Sequence, residues 1–317
     1  MSSFQKAKKL ILRFASFIFA CMLLYLLYRL NLLDTANFTE IPMRAILACV
    51  IFGFVQTWLV SWRLAILFRS VSVRLEILDA FILNCIGLFY TLFLPGSLSG
   101  DVVKVLYFKR LTHASLSKTT VTLILDKVLG LFSVVFIGIV FSYTLWPKLQ
   151  NLHGIGFLYI AVIGFLVVGI LMCVLFFKFC ALDSPPKVPG GAAIFEWLKG
   201  LRSNKYSAGT LVAALALGGI SQLITIVSIL IISNCLNSGL SFLTIAAILP
   251  FGVLANLIPI SPGGLGVGEY TIEYLFSMFG GTHGALIFLI VRICLYAPAL
   301  IGAYFVFKKL LMQSSPP

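Results

Sequence analysis

Charge is scarce in this sequence. Only 10% of the residues are Asp, Glu, Lys or Arg, against about 25% in an ordinary soluble domain. Hydrophobic residues make up 61% and the mean hydropathy is +1.09. A water-soluble core cannot absorb that much apolar surface, so the chain's solvent is largely lipid. Acidic residues are the rarer sign, 10 against 23 basic ones, for a net charge of +13. The basic residues fall between apolar runs and not on one solvated domain, which argues against a nucleic-acid surface. The excess of Lys and Arg in cytoplasmic loops of membrane proteins explains the balance more simply.

The usual apparatus of catalysis is also missing. His113, His153 and His283 are isolated from one another. The seven cysteines (Cys21, Cys49, Cys85, Cys173, Cys180, Cys235 and Cys294) lie in or beside apolar runs without metal-ligand or redox spacing. They read as small apolar filler, and neither metal nor cofactor is expected. Ser97, Ser99 and Ser261 flank glycine-rich breaks, but no histidine is placed to activate one of them. No Gly-Lys-Ser/Thr follows a glycine run, which excludes a nucleotide P-loop. The longest loop, about Cys180–Ser207, is far below domain size, so no soluble catalytic domain is expected.

What is present is a succession of apolar runs. The basic head MSSFQKAKKLILRF leads into a run reaching Leu30 with no small-x-small cleavage site, and reads as an uncleaved signal anchor. Its charges place the N-terminus in the cytoplasm and a first span at Leu10–Tyr28. A second span, Ile46–Trp62, is followed by Arg63, Arg69 and Arg74, read as a cytoplasmic loop. Further spans are expected at Thr119–Trp146, Ile155–Phe179, Ala208–Ile232 and Ala285–Phe307, the last leading to a cytoplasmic Lys308-Lys309.

Two apolar runs are interrupted. Ile258–Glu269 reads IPISPGGLGVGE, with two prolines, four glycines and a terminal carboxylate. Leu94–Asp101 reads LPGSLSGD, with similar grammar. Non-helical backbone at membrane depth survives only where protein covers it or where it lines a cavity. If Glu76–Phe93 crossed the membrane, Lys104, Lys109, Arg110 and Lys118 would lie outside, so the positive-inside rule favours a re-entrant hairpin broken at Pro95–Gly100. The same reasoning makes Phe242–Phe279 a second hairpin entering from the other face. The expected fold is therefore all-α, a polytopic membrane protein of about six full spans plus two re-entrant hairpins arranged as an inverted repeat. It forms one membrane domain over 1–317, with halves at about 1–180 and 207–317 joined by a cytoplasmic loop at about 181–206.

The glycines and prolines of the breaks (Pro95, Gly96, Gly100, Pro262, Gly263, Gly264, Gly266 and Gly268) are expected to shape the backbone. Two readings of the glycine-rich turn are compatible. Its amides and the following helix N-terminus can cradle a phosphate, or the glycines permit a tight break and close packing. Asp101 and Glu269 each follow a break, where a carboxylate also suits a helix dipole. Glu273 follows Glu269 by one turn on the same face. Asp126, Lys127 and Arg292 lie inside apolar runs, where one such side chain costs roughly 2.5–3.5 kcal/mol on insertion scales. Arg292 needs a partner: Glu269, Asp126 or a lipid phosphate, which its fork matches bidentately.

Three stretches, LPGSLSGDVVKVLYFKR, LILDKVLGLFSVV and IPISPGGLGVGEYTIEYLF, with LIVRICLY as a weaker fourth, carry a resemblance. Taken together they resemble the flippase-like membrane domain of lysylphosphatidylglycerol synthases and of free-standing bacterial and archaeal relatives. The family's Gly-Gly-Asp followed by Arg reads here Ser99-Gly100-Asp101 with Lys104. Its Asp-Arg reads Asp126-Lys127, and the Arg commonly found before the glutamate is Gly268. Lysine keeps the charge but lacks the bidentate fork. The resemblance implies a membrane-embedded translocator handling an anionic or aminoacylated phospholipid or a polyprenyl-phosphate-linked lipid; with both termini placed inside by their basic residues, the cytoplasmic membrane is its expected location. The candidate substrate site, chosen for charge at depth beside the helix breaks, is Asp101, Lys104, Asp126, Lys127, Glu269 and Arg292. An enzyme of envelope synthesis is a possible protein partner. The alternative is a membrane-embedded enzyme or accessory of glycolipid synthesis that binds a lipid-phosphate without moving it.

Overall fold

A computed structural model describes Tyr25 and residues 40–92, 94, 99–112, 116–144, 206–258, 261 and 263–314. The expected spans Leu10–Tyr28 (apart from Tyr25) and Ile155–Phe179, the long loop (apart from Tyr206 and Ser207), and Pro95, Gly96 and Pro262 lie outside the described residues. Within them every regular element is a helix. They are α1 (Met43–Ser70), α2 (Ile77–Thr91), α3 (Ser99–Thr112), α4 (Leu116–Thr144), α5 (Ala208–Cys235), α6 (Phe242–Ala255), α7 (Val267–Met278), α8 (Gly284–Leu295) and α9 (Ala299–Ser314).

Length divides these helices into two kinds. Met43–Ser70, Thr119–Tyr143 within α4, and Ala208–Cys235 are each long and apolar enough to cross a membrane. At 1.5 Å per residue, α1 and α5 extend about 42 Å, beyond the hydrocarbon thickness of about 30 Å. By contrast α2, α3, α6 and α7 reach only about 18–22 Å, too short to span alone. They pack in consecutive pairs, α2 on α3 and α6 on α7, on either side of the two interrupted motifs.

Local chemistry explains the boundaries. Pro42 precedes α1, where its missing N–H costs nothing. Ser207 caps α5 by accepting from the Thr210 amide at 3.1 Å, and Ser241 caps α6 by accepting from Thr244 at 3.3 Å. Two expected boundaries shift. Helix α1 does not stop at Trp62 but runs to Ser70, because LAILF after Arg63 continues the apolar face. Arg63 is therefore not a loop residue. The expected span Ala285–Phe307 is bent by 44° between α8 and α9. Pro298 sits at that bend, and proline has no amide to donate to the preceding turn.

The main core joins the N-terminal part of α1 with α4, α5, α6, α7 and α8, through Val134, Ile226, Ile229, Leu249, Phe276 and Leu286 among others. A second cluster joins the C-terminal part of α1 with α2, α3 and α4, around the stacked rings of Phe68 and Phe108, 4.0 Å between centroids. Helices of the two halves pack across each other: α1 on α5 and α8, and α9 on α2. With lipid as solvent, close approach and dispersion replace hydrophobic exclusion as the cohesive force. Gly302 of α9 therefore packs directly on the Cys85 backbone of α2, where a Cβ would collide.

Candidate functional site

The first interrupted motif delivers Asp101 into the first turn of α3. Helix α3 approaches α2 with Gly100 packed on the backbone of Gly87, a contact that admits no side chain at position 100. That closeness lays the alkyl stem of Lys104 over Gly87. The Lys104 ammonium contacts Asp101 Oδ1 at 2.8 Å, and Lys127, from α4, contacts Oδ2 at 2.9 Å. One carboxylate thus holds two cations from two helices.

The second motif is a chain of left-handed glycines, with φ of +60° at Gly263, +76° at Gly264 and +89° at Gly266. Such angles strain any residue with a Cβ. Their amides are engaged within the protein: Gly263 donates to Leu94 O at 3.4 Å, Gly264 to Ser261 O at 3.1 Å, and Gly266 to Glu269 Oε2 at 2.7 Å. The last contact is the reach-back half of a capping box. These bonds favour the turn as a shaped break over the turn as a phosphate cradle, because three of the amides that would converge on a phosphate are already used.

Glu269 is fully buried and Arg292 is 8% exposed, with Oε1 and Nη1 3.0 Å apart. Arg292 also lies over the Phe288 ring, 5.2 Å from its centroid. The Glu269–Arg292 contact is an ion pair without hydrogen-bond alignment, so neither terminal nitrogen of Arg292 has a hydrogen-bond partner, and neither has Asn256 Oδ1. Glu273, one turn on, accepts from the Ala285 amide at 2.7 Å and caps α8.

The Gly263–Leu94 bond joins the two motifs, so the breaks touch although their sequences lie far apart. Of the six expected site residues, the structure groups Asp101, Lys104 and Lys127 in one cluster and Glu269 with Arg292 in another. Asp126 joins neither cluster. Both its oxygens are taken by Arg63, Nε to Oδ1 at 2.6 Å and Nη2 to Oδ2 at 3.1 Å. Arg63 is 4% exposed, and its guanidinium fits because Gly130 of α4 and Gly218 of α5 leave room beside it. Its role was hidden by its place at the end of an expected span. The uninterrupted LAILF that follows was the available signal. Two neutral pairs were also not foreseen: Asn84 Nδ2 donating to Ser61 Oγ at 2.9 Å, and Gln56 Nε2 donating to Thr225 Oγ1 at 2.9 Å.

The sequence matches the family described as lysylphosphatidylglycerol synthase TM region over residues 11–302. The chain belongs to that family. A search of curated proteins finds no match. Membership and the long apolar helices together make it a multi-pass membrane protein, and the family connects it with lipid handling. Among the departures from the family pattern, Gly268 acquires a physical reason. A Cβ there would meet the side-chain amide of Asn256, which fills the space beside α7. An arginine at 268 would require Asn256 to move.

Proposed function

We propose that this member of the lysylphosphatidylglycerol synthase TM family translocates a lipid across the cytoplasmic membrane. Its anionic head group would be held where the two breaks meet. The observation that carries the reading is the Leu94–Gly263 contact between two pairs of half-length helices, one carrying a part-buried charge cluster and the other a buried ion pair. Paired broken segments near the midplane are how transporters expose polar groups to a substrate inside a bilayer. In this reading the pairs α2–α3 and α6–α7 are re-entrant hairpins from opposite faces, related as an inverted repeat. Lys104, Lys127 and Arg292 attract the head group, while Asp101 and Glu269 hold those cations in the lipid-free state. Asp126 acts indirectly, because its pairing with Arg63 fixes the helix that presents Lys127.

Fluorescent-lipid translocation by purified protein in liposomes tests the proposal. Wild type should accelerate movement of anionic phospholipid between leaflets, and Arg292→Ala or Glu269→Gln should abolish the acceleration. Lipid binding without protein-dependent translocation would overturn it in favour of a lipid-phosphate-binding enzyme or accessory.

A further inference from the structure

Asp101, Lys104 and Lys127 carry two positive charges and one negative, a surplus of +1. The nearby carboxylates do not cancel it. Asp126 is committed through both oxygens to Arg63, and Glu269 to Arg292 and the Gly266 amide. Among the described residues, Asp101 is the one carboxylate within ion-pair distance of either lysine. Each ammonium has three N–H donors, and Asp101 occupies about one on each. The surplus is also accessible: the Lys127 side chain is 36% exposed against 13% for Lys104. A second pointer lies on α8. Arg292, itself buried, keeps Nη2 without a hydrogen-bond partner.

We infer that this cluster is a subsite for a singly charged phosphodiester and that Asp101 sets the charge it accepts. The inference rests on the proposed lipid-handling role and names the substrate class of that site. A phosphodiester brings one negative charge and non-bridging oxygens for the free lysine donors, so the occupied cluster is neutral. A phosphomonoester brings close to two charges above its second pKa of about 6, leaving an uncancelled negative charge in a low-dielectric setting. Asp101 lowers the charge of the two lysines to match the first and reject the second. It selects without touching the ligand, unlike a carboxylate that binds a head-group amine.

Native mass spectrometry of the full chain in detergent at pH 8 tests this. The probes are phosphatidylglycerol, phosphatidic acid, phosphatidylcholine and inorganic phosphate. Wild type should prefer phosphatidylglycerol to phosphatidic acid by about tenfold, the expected scale for one uncancelled charge. Asp101→Asn raises the cluster to +2 and should reverse that order. Lys127→Gln, at a part-exposed position, should reduce phosphatidylglycerol binding to the level of phosphatidylcholine with the melting temperature unchanged. Loss of phosphatidylglycerol binding in a folded Asp101→Asn, or an unchanged order, overturns the selector role. If Asp101→Asn does not fold, the Lys127→Gln result decides: undiminished binding overturns the subsite. Inorganic phosphate competing as well as the lipid does would overturn the lipid source. Failed translocation with intact charge selectivity would sink the transport proposal alone, and the converse would sink this one alone.

Discussion

Arg63 and Asp126 show how a residue's chemistry depends on its depth. Two opposed charges in bidentate contact cancel at close range, yet each has been removed from water or head groups to reach its partner. Such a pair is an uncertain source of net stability, but breaking it leaves one charge alone in an apolar setting. Arg63→Met should therefore cost about 3–5 kcal/mol, read as a lowered unfolding midpoint in detergent. The double variant Arg63→Met/Asp126→Leu should recover most of that loss. A double variant as unstable as the single would mean that packing around Arg63, not its charge, supports the helices. Neither residue announces this pairing in sequence. Asp126 was legible as a charge out of place, whereas Arg63 looked like the first residue of a basic loop.

At the level of elements, the glycine break between α6 and α7 depends on both backbone angle and space. A methyl group at Gly264 would lie 2.5 Å from the Asn256 carbonyl oxygen, and φ there is +76°. Gly239, in the turn after α5, has a similar φ of +78° with nothing within 4 Å of the same added atom. Gly239→Ala should cost only the left-handed penalty of about 1–2 kcal/mol. Gly264→Ala should add overpacking of about 1–3 kcal/mol. The difference between their unfolding midpoints isolates the packing contribution. Equal shifts would show that Asn256 yields without resistance. The pattern of prolines and glycines made the break legible. That the Gly263 amide is consumed by Leu94 was not, because this acceptor belongs to the other break and is set by how the two halves fold together.

For the whole molecule, the decisive feature is that two distant breaks meet. If α2–α3 is a re-entrant hairpin, its basic C-terminal end returns to the cytoplasmic face. A cysteine at Lys109, in a chain freed of its native cysteines, should then react with an impermeant thiol reagent from the cytoplasmic side only. Labelling from the outer side alone would convert α2–α3 into part of a crossing and end the inverted-repeat reading. The half-length of these helices supports the hairpin reading, since about 21 Å of helix falls short of a bilayer core of about 30 Å.

Composition alone determined the solvent: so few charges and so many apolar residues leave no soluble alternative. Apolar runs located α4 and α5 to within a few residues but ended α1 eight residues early, and the two glycine-proline stretches marked where helix must fail. Those properties are local, governed by transfer energy and backbone sterics along the chain. Tertiary structure decided the partners. Asp126 took Arg63, Glu269 took Arg292, and Asp101 added Lys127 of α4 to the Lys104 that helix spacing already places beside it, because these cross-helix pairs depend on distance between helices rather than along one. It also decided that α8 and α9 bend, and that Gly268 faces Asn256. The sequence marked six charged positions as one site, and folding sorted them into a closed pair, a structural tie and a cluster with one positive charge to spare.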